Sequence, residues 1–171
     1  CPVRSAAARM FSTAWSIPFA EFWDAEMTEA SGDIWQRHDA GDVVTITTGG
    51  LVGKSGACAM PAGCAGQARK KFPGIDQILG RLISSHGNHV FDLGNRVVSF
   101  PVEKSPFVVP DPALIEQSCR ELVELAEQRQ WPRVIVPRPG CGIGGLDWRQ
   151  VRPFLEKYFD DRFVVIQKGE S

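Results

Sequence analysis

The segment VIVPRPGCGIGGLDWRQV (134–151) constrains the fold more than any other stretch of the chain. A β-branched apolar run ends at a proline, four glycines follow within six residues, and a helical pattern starts at an aspartate. Glycine costs roughly 0.5–1 kcal/mol where regular structure would serve. So dense a cluster therefore implies that something approaches the backbone at this corner. A strand that feeds a glycine loop and then a helix start is also a unit of layered α/β domains. There the loop sits at the carboxyl end of the strand, where ligands bind, and the helix start favours negative charge.

The other segments follow the same alternation. GDVVTITTGG (41–50) is a buried strand closed by glycines, and LVGKSGACAMPAG (51–63) is a loop of small residues. A helix over 64–72 stops at Pro73-Gly74. A second runs over 75–87, with Ile78, Leu79 and Leu82 on one side. Two apolar runs flank Gly94-Asn95, a hairpin signal, and Pro101 either ends the second strand or puts it on a sheet edge. DPALIEQSCRELVELAEQRQ (111–130) is the clearest helix, with Asp111 as cap and Pro112 in the first turn. A strand over 133–137, a helix over 147–159 capped by Asp147 and a strand over 162–167 complete the pattern. The class is α/β with a mixed sheet in one domain. With 171 residues, 43% hydrophobic and 23% charged, the chain can bury an ordinary core.

Charge and cysteines narrow the function. A formal net charge of −1 argues against broad electrostatic binding of nucleic acid. Five cysteines at irregular spacings and three histidines form no zinc pattern, so no metal site is expected and a reduced, cytoplasmic protein is. No apolar stretch has the length of a membrane helix. Residues 1–25 differ in character from the rest and read as an N-terminal extension, with function expected beyond them. The two small-residue loops, 51–63 and 138–146, each follow a strand and precede a helix. They could clamp one extended phosphorylated ligand from both sides. Neither fits a P-loop or a dinucleotide fingerprint.

Taken together, ASGDIW (30–35), VVTITTGG (43–50), GACAMPAGCAGQARKKFPG (56–74) and VIVPRPGCGIGGLDWRQVRPFLEKYF (134–159) resemble a macrodomain, the α/β/α module that binds ADP-ribose. The flavour is similar to the branch of terminal ADP-ribose protein glycohydrolase and of antitoxin macrodomains that remove ADP-ribose from DNA. The resemblance implies a three-layer α/β/α sandwich with a mixed central sheet over residues 26–171. It implies Asp33 at the adenine amino group, with Ile34 beside it. It implies Gly142, Ile143, Gly144 and Gly145 around the diphosphate, with Cys141 and Leu146 on the same loop. Gly49, Met60, Ala62, Gly63 and Cys64 would lie at the distal ribose. From the residues alone, Asp33 reads as an ordinary turn residue sooner than as a ligand contact, and Cys141 as a small buried filler sooner than as a nucleophile.

The chain also departs from that pattern. Gly49 stands where many macrodomains carry Asn, and Pro61-Ala62-Gly63 stands where relatives in this branch read Gly-Arg-Gly. The glycohydrolase lysine would fall on Glu103, with Lys104 next to it. Its acidic partner would fall on Gly144. The expected activity is hydrolytic release of ADP-ribose from a modified macromolecule, an ester to a Glu or Asp side chain, with Lys104 favoured over Glu103 as the catalytic group. The implied partners are ADP-ribose and an ADP-ribosylated protein or nucleic acid, with no cofactor and no membrane. A non-catalytic ADP-ribose reader and a hydrolase of small ADP-ribose derivatives are the alternatives.

Overall fold

The computed structural model describes residues 26–106 and 108–168. The expected extension over residues 1–25 lies outside the described residues.

The elements follow in the order β1 (Thr28–Ser31), α1 (Ile34–Asp39), β2 (Val43–Thr48), α2 (Gly63–Lys71), α3 (Ile75–His86), β3 (Phe91–Asp92), β4 (Val97–Pro101), α4 (Pro112–Arg129), β5 (Val134–Pro137), α5 (Trp148–Tyr158) and β6 (Phe163–Gln167). The strands form one six-stranded sheet in the order β1-β6-β5-β2-β4-β3. Every neighbouring pair is parallel except β3 with β4, so the sheet is mixed.

Strands β2, β4, β5 and β6 are largely buried on both faces because both faces are covered, whereas the edge strands β1 and β3 are exposed or half-buried. Val44, Ile46, Ile135, Val164 and Ile166 point into a core closed by Ile34 and Trp35 of α1, Ala65 and Ala68 of α2, and Ile75 and Leu79 of α3. Their neighbours Val43, Val134, Val136, Phe163 and Val165 point into a second core closed by Ile115, Cys119 and Leu122 of α4 and Val151 and Leu155 of α5. This period of two, with helices on both sides, makes the three-layer α/β/α sandwich.

Local chemistry sets the element ends. Leu93 N–H donates to the Val97 carbonyl, and Gly94, Asn95 and Arg96 take φ of 84°, 53° and 60° to turn the β3–β4 hairpin. Pro101 ends β4, an interior strand, and lies opposite Thr48 of β2. Asp111 caps α4 by accepting from Ala113 N at 3.0 Å. The Asp111→Ala variant should lose about 1 kcal/mol of stability, and its Tm should fall by roughly 2–4 °C in a melt followed by circular dichroism. The helix α1 is an addition to the sequence reading. It is six residues long and is capped by Asp33, whose Oδ1 accepts from Trp35 N at 2.9 Å.

Candidate functional site

The carboxyl ends of the five parallel strands all open on one side of the sheet. A cleft of about 1060 Å³ runs across them. The residues just beyond the strands follow the sheet order: Asp33 after β1, Lys168 after β6, Arg138 after β5, Gly49 after β2 and Glu103 after β4. All five line the cleft. Adjacent strands lie about 4.8 Å apart, so Asp33 and Glu103 are separated by four such steps, roughly 19 Å. The cleft is therefore long and narrow, and fits an extended guest.

Two sets of unpaired backbone donors face each other across its middle. The loop between β5 and α5 is held in shape by Cys141 N to Arg138 O at 3.3 Å, Gly145 N to Gly142 O at 3.1 Å and Leu146 N to Gly140 O at 2.9 Å. Among the described residues, the amides of Gly142, Ile143 and Gly144 have no acceptor. The second set is the start of α2. Its cap residue Ala62 provides no side-chain acceptor, and only Gly66 N bonds back to the Ala62 carbonyl, at 3.1 Å. The amides of Gly63, Cys64 and Ala65 are left with the partial positive charge of a helix N-terminus. Ile143 spans the gap: a Cβ on Gly63 would lie 3.8 Å from its Cδ1. Ile143 is 82% exposed, a large apolar side chain held over a polar floor. Such facing donor sets are suited to a diphosphate.

Gly144 is a glycine for a packing reason. A Cβ there would sit 2.5 Å from Pro110 Cγ and 2.7 Å from the Gly140 carbonyl oxygen. A Cβ on Gly142 would meet nothing within 4 Å. Gly145 does not line the cleft, whereas Cys141, Gly142, Ile143, Gly144 and Leu146 do. The Cys141 thiol donates to the Pro139 carbonyl at 3.4 Å. Burial pushes its pKa up, with Arg138 opposing and Asp147 adding, so the group is a protonated thiol rather than a nucleophilic thiolate.

At the β2–β4 end, Gly49, Ala62, Gly63 and Cys64 border the cleft. Met60 lines it too but is only 1% exposed, so it forms floor rather than rim. Cys64 Sγ accepts from Thr47 N at 3.3 Å and ties α2 to the end of β2. Gly49 leaves space that Glu103 uses. A Cβ on Gly49 would touch Glu103 Cγ at 3.5 Å and Pro106 Cδ at 3.6 Å, so a side chain at position 49 competes with Glu103 for one volume. The Glu103 carbonyl accepts from Asn88 Nδ2 at 3.2 Å, and the Lys104 carbonyl accepts from Gly50 N at 3.0 Å, which extends the β2–β4 pairing past the strands. Partial burial raises the pKa of the Glu103 carboxyl. Lys104, favoured over Glu103 in the sequence reading, is exposed and does not line the cleft.

At the β1–β6 end, Asp33 lines the cleft while it caps α1, which leaves Oδ2 for a guest. Ile34 is buried beside it. The sequence reading missed several lining residues here: Gln67, whose Oε1 accepts from Trp35 Nε1 at 2.7 Å, together with Arg138, Trp148 and Lys168. An arginine at the root of a glycine loop and a tryptophan after a helix cap were the available signals. Among the described residues, no group of three or more His, Cys, Asp or Glu could hold a metal ion, and no helix is long and apolar enough to cross a membrane.

No family model and no curated protein matches the sequence. Solved structures do match the fold. The macrodomain of Thermus aquaticus DarG superposes with a TM-score of 0.67 at 19% identity, over 84% of this chain and 98% of that one. The macrodomain of Mycobacterium tuberculosis DarG gives a TM-score of 0.64 at 23% identity, over 85% and 99%. Thermosipho africanus DarTG, solved in complex with ADP-ribose, gives 0.60 at 18% identity, over 72% of this chain and 37% of that one. With its sheet order, its two helical layers and these superpositions, the chain has the macrodomain fold.

Proposed function

We propose that the cleft binds ADP-ribose and that the protein releases ADP-ribose from modified macromolecules. The observation that carries the reading is the pair of facing donor sets, Gly142–Gly144 and the start of α2, midway along a cleft with a carboxylate at each end. The diphosphate takes the amides, and Asp33 accepts from the adenine amino group. The distal ribose lies against Gly49 and Glu103. That Thermosipho africanus DarTG, 37% of which matches this fold, is solved in complex with ADP-ribose supports this.

Glu103 is the reacting group that the geometry favours. A half-buried carboxylate of raised pKa at the ribose end is suited to a general base. Water gives its proton to Glu103 as its oxygen bonds to the anomeric carbon. The bond from that carbon to the acceptor breaks, and a Glu or Asp acceptor leaves as its carboxylate. A second reading, a reader without catalysis, is favoured by one observation: Lys104 lies outside the cleft.

Calorimetry with ADP-ribose and its hypoxanthine counterpart, together with release of ADP-ribose from a glutamate-linked substrate, tests the proposal. The parent should bind ADP-ribose, prefer it to the hypoxanthine form and release it. Asp33→Asn keeps a good helix cap and should lose the preference. Binding without release leaves the reader. Absence of binding removes the proposal.

A further inference from the structure

The cation chemistry at the adenosine end exceeds what ADP-ribose uses. In the proposed pose, backbone amides serve the diphosphate. Yet Arg138 and Lys168 also line the cleft, on neighbouring strand ends between Asp33 and the glycine loop. The Arg138 guanidinium lies over the Trp148 ring, with Cζ 4.7 Å from its centroid. This stacking fixes its plane. Its Nε is buried and, among the described residues, has no hydrogen-bond partner. Among the described residues its one ion pair is long, 3.8 Å from Nη2 to Glu29 Oε1. Glu29 is already engaged, by Trp148 Nε1 at 3.0 Å and by Arg152 Nη2 at 2.9 Å. Among the described residues, Lys168 makes no ion pair.

With Nε enclosed, the 27% of the Arg138 side chain that stays exposed lies on its other atoms, so the terminal Nη groups, and not Nε, are what the guanidinium offers a ligand in the cleft. A planar guanidinium fork with a neighbouring ammonium suits a phosphate better than a hydroxyl or a carbonyl.

We propose that Arg138, held on Trp148, forms with Lys168 an anion subsite that recognises a phosphate ester on the ribose of the adenosine moiety. This inference rests on the ADP-ribose reading. The cleft would then prefer a nucleotide phosphorylated at that ribose to ADP-ribose itself, and Arg138 would set the preference.

The test compares ADP-ribose with ADP-ribose 2′-phosphate and with its 3′-phosphate isomer by calorimetry at low salt. The parent should bind one phosphorylated probe at least tenfold more tightly than ADP-ribose, with an advantage that shrinks as salt rises. Arg138→Gln should erase the advantage and bind ADP-ribose within threefold of the parent. Because Arg138 also packs on Trp148, Lys168→Met provides an independent arm at an exposed position, and should lose part of the advantage. Equal or weaker binding of both phosphorylated probes by a parent that binds ADP-ribose overturns this inference alone. Equal losses for all three probes in Arg138→Gln also overturn it, because Arg138 would then serve the diphosphate or the fold. A parent that binds no probe overturns the ADP-ribose reading as well.

Discussion

Gly142→Val should bind ADP-ribose at least a hundredfold more weakly than the parent and melt at the same temperature. A Cβ at position 142 would meet no atom within 4 Å beyond its chain neighbours, so the free protein has open space at the branch point of a side chain there. It lies on the wall of the cleft, beside three amides without acceptors. A diphosphate could not then reach those amides, and each charge-assisted bond lost costs roughly 1.5–3 kcal/mol. Two such bonds suffice for the expected loss. Gly144→Ala should behave differently. Its Cβ would collide with Pro110 and with the Gly140 carbonyl, neither of which can swing aside as a flexible side chain would. The loop must move, and Tm should fall together with affinity. Calorimetry and thermal melts on both variants separate the two roles. Parent-like affinity in a folded Gly142→Val variant would take the diphosphate off this loop.

The contrast between the two glycines marks how far the sequence could be read. The unit of β5, its loop and α5 was legible because local signals agreed: a β-branched run, a glycine cluster and an aspartate cap. The strands of the core were legible as apolar runs. That Ile135 faces one helical layer while Val134 and Val136 face the other follows from the pleat once both faces are covered. The hairpin was legible from Gly94-Asn95, although β3 is only two residues long. The helix α1 was not legible. Six residues are too few to display a 3.6-residue period, and the residue that caps it, Asp33, carried a ligand expectation instead. Nor could the sequence tell that Gly144 answers to Pro110, 34 positions away in sequence and across the loop. Contacts of that kind depend on tertiary packing. Arg138, Trp148 and Lys168 line one cleft for the same reason, from the end of β5, the start of α5 and the end of β6.

Which of Glu103 and Lys104 faces the cleft is decided by the register of the chain just beyond β4. Consecutive residues at an extended strand end point to opposite sides, so a shift of one position exchanges a residue in the site for one outside it. Glu103 lines the cleft and Lys104 does not. Glu103→Gln should therefore reduce release of ADP-ribose from a glutamate-linked substrate by about 10²–10⁴-fold, the range for loss of a general base. ADP-ribose affinity should stay within a few-fold of the parent. Lys104→Ala should keep the rate within about threefold, since losing an exposed charge removes no contact in the cleft. The pH profile provides an independent readout. Burial raises the Glu103 pKa, and the active form is the deprotonated one. The rate should climb with pH along an acidic limb that lies above the ordinary glutamate range, and that limb should vanish in Glu103→Gln. Stability depends on pH in the opposite sense. A carboxyl whose folded pKa is raised contributes most below its unfolded pKa, and that contribution is lost as pH rises through the folded value. At neutral pH, Glu103→Gln should accordingly melt no lower than the parent. A lost rate therefore could not be ascribed to a lost fold. Full activity in Glu103→Gln together with its loss in Lys104→Ala would return the chemistry to the lysine and require the strand end to turn over when the substrate binds.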